Sequence, residues 1–232
     1  MNIYVVHYKK LSERKKSTER EFEKYSYNLI FKTDFDKENL SKEILRRFNY
    51  RYIDRFIKRK PGYRKLTKSM ISAFLKHIDL LINQEEENYI AIIEDDLILC
   101  DDFENKFNRM LSELPENFAF CFFDSFMEDY GKVEERLYNK DKIVHKIDYY
   151  EPPNFKKSSN KKAGKTRGGG GYLFNLKYRS ILKEEYLSQD KIYIMNDHWL
   201  NHFINKYNLD VYWVEPPLSK QMSQNKLIDK SY

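Results

Sequence analysis

Three consecutive acids, Glu94, Asp95 and Asp96, follow directly on the apolar run Ala91-Ile92-Ile93. Like charges repel, and carboxylates at the end of a buried strand are poorly solvated, so the triplet calls for a positive partner. A divalent cation is one such partner: Mg²⁺ and Mn²⁺ take hard oxygen ligands, and one or two carboxylates plus the oxygens of a diphosphate complete their coordination. The competing reading is a solvated acidic turn.

Gly168 to Gly171 are four of the chain's seven glycines, and they follow Lys161, Lys162, Lys165 and Arg167. Glycines allow close backbone approach, and the flanking cations suit a diphosphate. The glycine and lysine order of a P-loop is missing, which argues against an ATPase. Residues 152–171 therefore read either as a mobile basic lid or as a flexible linker.

Asp197 follows Asn196, a candidate helix N-cap, and a carboxylate in the first turn is favoured by the helix dipole, so ordinary capping competes with a chemical role. His198 and His202 lie four apart, a spacing that can bind zinc, but Trp199 stands where an HExxH motif has Glu. On the helix before the triplet, Lys76 is expected to point away from the apolar stripe, and His77 to lie at its margin as a core-edge histidine.

These residues need strands and helices to hold them. Asn2 to Val6 and Asn28 to Phe31 read as strands around a charged helix within Ser12 to Tyr25, a β-α-β opening. Met70, Ile71, Phe74, Leu75, Ile78, Leu81 and Ile82 form one helical stripe. Tyr89 to Ile93 is a strand, Asp101 or Asp102 caps a helix reaching Leu114, and Phe118 to Phe123 is a further apolar strand. Residues 130–167 form a long polar excursion with one extra strand near Ile143 to Ile147. Tyr172 to Asn175 is a strand, followed by helices over Leu176 to Tyr186 and Asn196 to Tyr207 and a last strand from Val211 to Val214. The alternation predicts an α/β layer structure with a mostly parallel sheet, helices on both faces and functional groups at the strand ends.

At 232 residues, with 41% hydrophobic and 34% charged residues, the chain suits one folded domain better than a disordered or membrane-embedded one. Its net charge of +6 is concentrated in Arg46 to Lys68 and Asn154 to Arg167, which would attract phosphates or simply form solvated faces. Two cysteines, Cys100 and Cys121, form neither a disulfide framework nor a zinc motif. No apolar stretch reaches the roughly 18 residues of a membrane span, and the N-terminal run is too short for a signal peptide, so a cytoplasmic or membrane-surface location is expected.

Ile92-Ile93-Glu94-Asp95-Asp96-Leu97, preceded by a helix with Ser72, Lys76 and His77, resembles the signature of glycosyltransferase family 25, which includes lipooligosaccharide and procollagen galactosyltransferases. Further segments agree in order: Val5-Val6-His7-Tyr8 with Arg14; Gly171-Tyr172-Leu173-Phe174; Asp197-His198-Trp199-Leu200; and Tyr212-Trp213-Val214-Glu215-Pro216-Pro217-Leu218 with Gln221 and Ser223. Met222 and Lys226 depart from the pattern where glycines are expected, and Ser72-Ala73-Phe74 departs where many members have a cysteine and a Ser-His pair.

The resemblance implies a GT-A type, Rossmann-like fold with the nucleotide at the carboxyl ends of the strands. It implies a metal-dependent, inverting transfer of galactose or glucose from a UDP-sugar to a hydroxyl of a glycan, a lipid-linked sugar or a collagen-like protein. Asp96, supported by Glu94, would hold Mn²⁺ or Mg²⁺, and Asp95 would meet ribose or sugar. Asp197 would be the base. Arg14, Lys76, His77, Arg167, Gly170 and Gly171 become donor contacts, and Tyr8 could stack on the uracil. Two other readings compete: a metal-dependent nuclease whose basic segment tracks nucleic acid, and an inactive carbohydrate-binding module of the same fold.

Overall fold

A computed structural model describes residues 1–48, 66–86, 88–125, 139–147 and 165–222. In chain order the elements are β1 (Asn2–Val6), α1 (Ser12–Phe22), β2 (Asn28–Lys32), α2 (Lys42–Arg47), α3 (Lys68–Asn83), β3 (Tyr89–Glu94), β4 (Leu97–Leu99), α4 (Phe103–Glu113), β5 (Phe120–Phe122), β6 (Asp124–Ser125), β7 (Val144–Lys146) and β8 (Gly171–Asn175). A 3₁₀ turn at Leu176–Tyr178 leads into α5 (Arg179–Ser188), followed by α6 (Asn196–Lys206), β9 (Val211–Val214) and β10 (Ser219–Gln221).

Seven strands form the main sheet in the order β2-β1-β3-β8-β5-β9-β7. The β1-α1-β2 opening forms as expected, with β1 parallel to both β2 and β3. β8 enters antiparallel between β3 and β5, and β7 runs antiparallel to β9 at the edge. The sheet is thus mixed, with β1, β2, β3, β5 and β9 sharing one direction. Because β8 runs against its neighbours, its first residues lie at the carboxyl ends of β3 and β5, where Ile93 faces Gly171.

Strand residues alternate between two apolar layers, as the two-residue period requires. Tyr4, Ile90, Ile92, Phe120, Phe122, Tyr172 and Phe174 pack on one face with the α3 stripe, Leu182 of α5 and Trp199 and Phe203 of α6. Ile3, Val5, Ala91, Ile93, Cys121 and Leu173 pack on the other with Phe22 of α1 and Phe103, Phe107 and Met110 of α4. With both faces covered, the strands must be apolar throughout, and this is why β3 and β5 read as unbroken apolar runs.

The short elements were harder to anticipate. Leu97 to Leu99 and the closing segment pair as β4 and β10, and β10 also pairs with β6 in a separate three-stranded sheet. α2 begins at a Ser41 N-cap whose hydroxyl accepts from the Ile44 amide. Asp102 occupies the N-cap position of α4 with a left-handed backbone and makes no capping bond to the helix. α6 begins one residue earlier than capping by Asn196 requires: Met195 is the N-cap, and Asn196 is already helical. Among the described residues no helix is long and apolar enough to cross a membrane.

Edge strand β7 is held by a side chain. Glu113, at the end of α4, accepts the Ile143 and Val144 amides at 2.8 and 3.0 Å and the Arg109 guanidinium at 2.8 Å. Burial pushes this carboxyl up, but the two amides and Arg109 outweigh it and hold it below the usual glutamate range. A depressed acid stabilises the fold above its unfolded pKa, and that contribution disappears as pH falls through the folded value. Glu113→Ala should therefore cost about 2 kcal/mol in urea unfolding at neutral pH, and the difference from the parent protein should shrink in acid.

Candidate active site

Parallel pairing sets Val6 opposite Glu94, so the residues after β1 and the acids after β3 leave the sheet side by side. His7 Nδ1 lies 2.6 Å from one Asp95 oxygen, and Arg14, from the first turns of α1, donates to the other at 3.2 Å. The same guanidinium nitrogen is 3.8 Å from Asp96. Thr18 donates to the Asp95 carbonyl at 3.2 Å. Asp95, Asp96 and Arg14 are all buried. The positive partner that the triplet calls for is thus supplied in part by the chain itself.

Glu94 is half-buried and turns the other way. One of its oxygens is 3.5 Å from His77 Nε2, and the other accepts from Gln221 Nε2 at 3.3 Å. His77 is no core-edge residue: it is buried, its Nδ1 lies 2.8 Å from the Tyr172 hydroxyl, and its ring stacks on the tyrosine. Burial, with Glu94 adding to it, pushes the Tyr172 hydroxyl well above the usual tyrosine range.

Lys76 also differs from expectation. It is 2% exposed, and its ammonium bonds to Asp36 and to the His7 carbonyl, both at 2.5 Å. A long aliphatic stem lets it run through the apolar layer to a partner on the loop after β2, which helical spacing alone did not reveal. Lys76 also lines a cleft of about 540 Å³, open mouth included, together with Tyr8, Arg14, Lys37, Ser72, Glu94 and Asp95 among others. Tyr8 stands at its rim, with its hydroxyl bonded to Glu38 and the Lys37 ammonium 4.7 Å from its ring centroid.

The glycine run forms the other wall of the acidic centre. The Glu94 amide donates to the Gly170 carbonyl at 2.7 Å, and the Phe123 amide to Gly171 at 3.1 Å. A Cβ on Gly170 would fall 2.4 Å from Gln221 Nε2 and 2.5 Å from Asp124 Oδ2, so a side chain there would have to displace both groups. Asp124 was not anticipated. It is fully buried as the first residue of β6, and neither of its oxygens has a hydrogen-bond partner among the described residues. Burial drives its carboxyl well above the ordinary aspartate range; Arg167 opposes this, Glu94 adds to it, and the nearby Asp124 and Gly171 amides also pull it down without reaching hydrogen-bond geometry. The signal available in the sequence was a lone acid closing the run Phe120-Cys121-Phe122-Phe123, the pattern of the triplet in miniature.

Arg167 is committed to the closing segment. It donates to the Val214 carbonyl and to Glu215 at 2.7 and 2.8 Å, and it lies 5.2 Å from the Trp213 ring centroid. Residues 165–171 are anchored, since the Lys165 amide donates to Asn201 and the Lys165 carbonyl accepts from Trp213 Nε1. Thr166 donates to the Asp197 carbonyl, and a Cβ on Gly169 would touch Asn196 at 3.5 Å. Asp197 thus stands, half-buried, at one end of the glycine run, with Glu94 and Asp124 at the other.

His198 and His202 are exposed, and His202 lies 3.7 Å from Glu185. Among the described residues no three His, Cys, Asp or Glu side chains stand close enough to hold a metal as they are. Residues 49–65 of the basic segment, residues 152–164 of the expected lid with Lys161 and Lys162, and Ser223 and Lys226 of the closing segment lie outside the described residues.

Comparison with known proteins adds a family. The model described as glycosyltransferase family 25 (LPS biosynthesis protein) matches residues 1–206. Among solved structures, the galactosyltransferase LgtC in complex with donor and acceptor sugar analogues is similar at 12% identity and a TM-score of 0.44, over 92% of this chain and 73% of that one. The apo form of mouse xyloside xylosyltransferase 1 is similar at 12% identity and a TM-score of 0.40, over 89% and 69% of the two chains. No curated protein matches the chain.

The Lys76–Asp36 pair is buried, and Lys76 also lines the cleft. Removing one partner of such a pair leaves a buried charge, whereas replacing both with apolar groups does not. Lys76→Met should lower the unfolding free energy by about 3–5 kcal/mol, and Lys76→Met with Asp36→Leu should recover most of it. A Lys76 that mainly touched ligand would instead lose ligand binding with no change in stability.

Proposed function

Because this chain belongs to glycosyltransferase family 25, we propose that it is a metal-dependent, inverting enzyme that transfers galactose or glucose from a UDP-sugar to a hydroxyl of a glycan, a lipid-linked sugar or a collagen-like acceptor. The observation that carries this reading is the convergence of Glu94 and Asp95 with Tyr8 and Arg14 on one cleft at the strand ends. An open α/β sheet binds nucleotides at that position. The family membership leaves the nuclease reading without support, and the acids of the site are all present, which counts against an inactive module.

In the proposed complex the base of the nucleotide lies on Tyr8 at the rim. Arg14 orients Asp95 toward ribose or sugar through the bond it already makes, and His7 holds the other oxygen. Glu94 and Asp96 offer hard oxygen donors of the kind a divalent cation takes. When bound, Mn²⁺ or Mg²⁺ supplies positive charge against the departing diphosphate.

The acceptor hydroxyl attacks the anomeric carbon from the face opposite the diphosphate. As the new C–O bond forms, the bond to the diphosphate breaks, UDP leaves with the electron pair, and the hydroxyl proton passes to the Asp197 carboxylate. Asp197 suits this role because its carboxylate makes no hydrogen bond or ion pair with the described residues. The anchored run 165–171 keeps a fixed span between this base and the acids.

The test is incubation of the purified chain with Mn²⁺ and a panel of UDP-sugars, following UDP release and donor binding. Asp96→Asn should abolish metal-dependent donor binding. Asp197→Asn should spare binding and slow transfer by about 10²–10⁴-fold. The reverse pattern would exchange the two roles, and the absence of metal-dependent binding for every donor would overturn the reading.

A further inference from the structure

Gly170 separates two acids that come from different strands. On one side is Glu94, at the end of β3; on the other is Asp124, the first residue of β6. The ends of β3 and β5 are not neighbours in the sheet, because β8 lies between them; the Glu94 amide donates to the Gly170 carbonyl, and Asp124 and Gln221 reach into the space that the bare Gly170 leaves. Asp124 Oδ2 and Gln221 Nε2 both lie within 2.5 Å of the point that a Gly170 side chain would occupy. That same Gln221 nitrogen donates to Glu94 at 3.3 Å. An electropositive N–H therefore already sits in the space that the two carboxylates flank.

Asp124 is 0% exposed with both oxygens unsatisfied among the described residues. A buried carboxylate without a partner is unfavourable, and a cation that binds it would offset that cost. Arg167 is the nearest competitor, but its two terminal nitrogens are engaged by Val214 and Glu215. Asp95 is engaged by His7 and Arg14. The carboxylate with the most unused ligand capacity at this centre is Asp124, outside the triplet.

We propose that Asp124 is an oxygen ligand of the divalent cation, facing Glu94 across Gly170, so that the ion is held by acids from two different strands. The inference rests on the metal-dependent reading above and extends it to a residue beyond the acidic triplet. β10 is what makes the arrangement specific: it pairs with β4 on the triplet side and with β6 on the Asp124 side, and it delivers Gln221 between them. The diphosphate then needs to complete only the remaining positions of the ion.

The experiment is Mn²⁺ titration of the full chain, with and without UDP, following free Mn²⁺ by electron paramagnetic resonance. The parent protein, Asp124→Asn and Asp96→Asn are compared, and thermal melting is recorded in each state. Asp124→Asn should weaken Mn²⁺ binding about tenfold or more and lose the Mn²⁺-induced rise in melting temperature, while melting at the same or a higher temperature without metal. In the parent protein, Fe²⁺ with ascorbate should cut the backbone near residues 94–96 and also near 124 and 170, a readout that does not depend on the variant folding. Parent-like Mn²⁺ affinity in Asp124→Asn, or cuts confined to 94–96, overturns the inference and leaves the metal-dependent reading standing. A parent protein that binds no Mn²⁺ even with UDP overturns both.

Discussion

Asp95 and Asp96 are buried next to each other at the end of β3, and two adjacent carboxylates in a poorly solvated place must be balanced from close by. Arg14 provides that balance, and much of the local architecture follows from it. The guanidinium reaches both acids because α1, which follows β1, starts beside the triplet. Thr18, one turn further along α1, bonds to the Asp95 carbonyl and fixes the distance between helix and strand end. One terminal nitrogen of the guanidinium faces both acids, and arginine keeps its charge in such a buried place where a lysine would lose it more readily.

A second constraint comes from the antiparallel entry of β8. In a purely parallel sheet the carboxyl ends of β3 and β5 would be flanked by another strand end and its side chains. Here they are flanked by the start of a strand, and Gly170 and Gly171 place bare backbone there. A side chain at 170 would collide with Asp124 and Gln221, and one at 171 would come within 2.7 Å of the Phe123 ring. The glycines thus act first as spacers between acids. Their neighbour Gly168 has φ of 88°, so the turn also uses the positive φ that glycine adopts without strain.

Most of the layer structure was legible because long periodic signals report burial directly. The α3 stripe, the apolar runs of β3 and β5 and the amphipathic α6 each carry enough residues to reveal their period. The triplet and the glycine run were legible as chemistry for the same reason, as local concentrations of one residue type. What the sequence concealed depends on pairing between distant segments. Lys76 reads as a surface lysine until Asp36, forty residues earlier, is brought beneath it. β4, β6 and β10 are two or three residues long and exist only because they pair with one another. Asp124 is a single acid whose meaning comes from Glu94 and Gln221, neither of them near it in sequence.

The same dependence on distant pairing explains why the glycine run joins the two halves of the proposed chemistry. Its amino end is fastened to α6 through Lys165 and Thr166, and its carboxyl end is fastened to β3 through the Glu94 amide. Arg167, within the run, is bound to the closing segment that becomes β10 and carries Gln221. A displacement of the run therefore moves the α6 start, the acidic centre and the Gln221 strand together. Catalysis that depends on the spacing between a base and the charge on a leaving group benefits from such a rigid connection, since small errors in that spacing are costly in rate. Within this run Lys165 and Arg167 are tied to Leu209, Val214 and Glu215, which fastens it to the closing part of the chain.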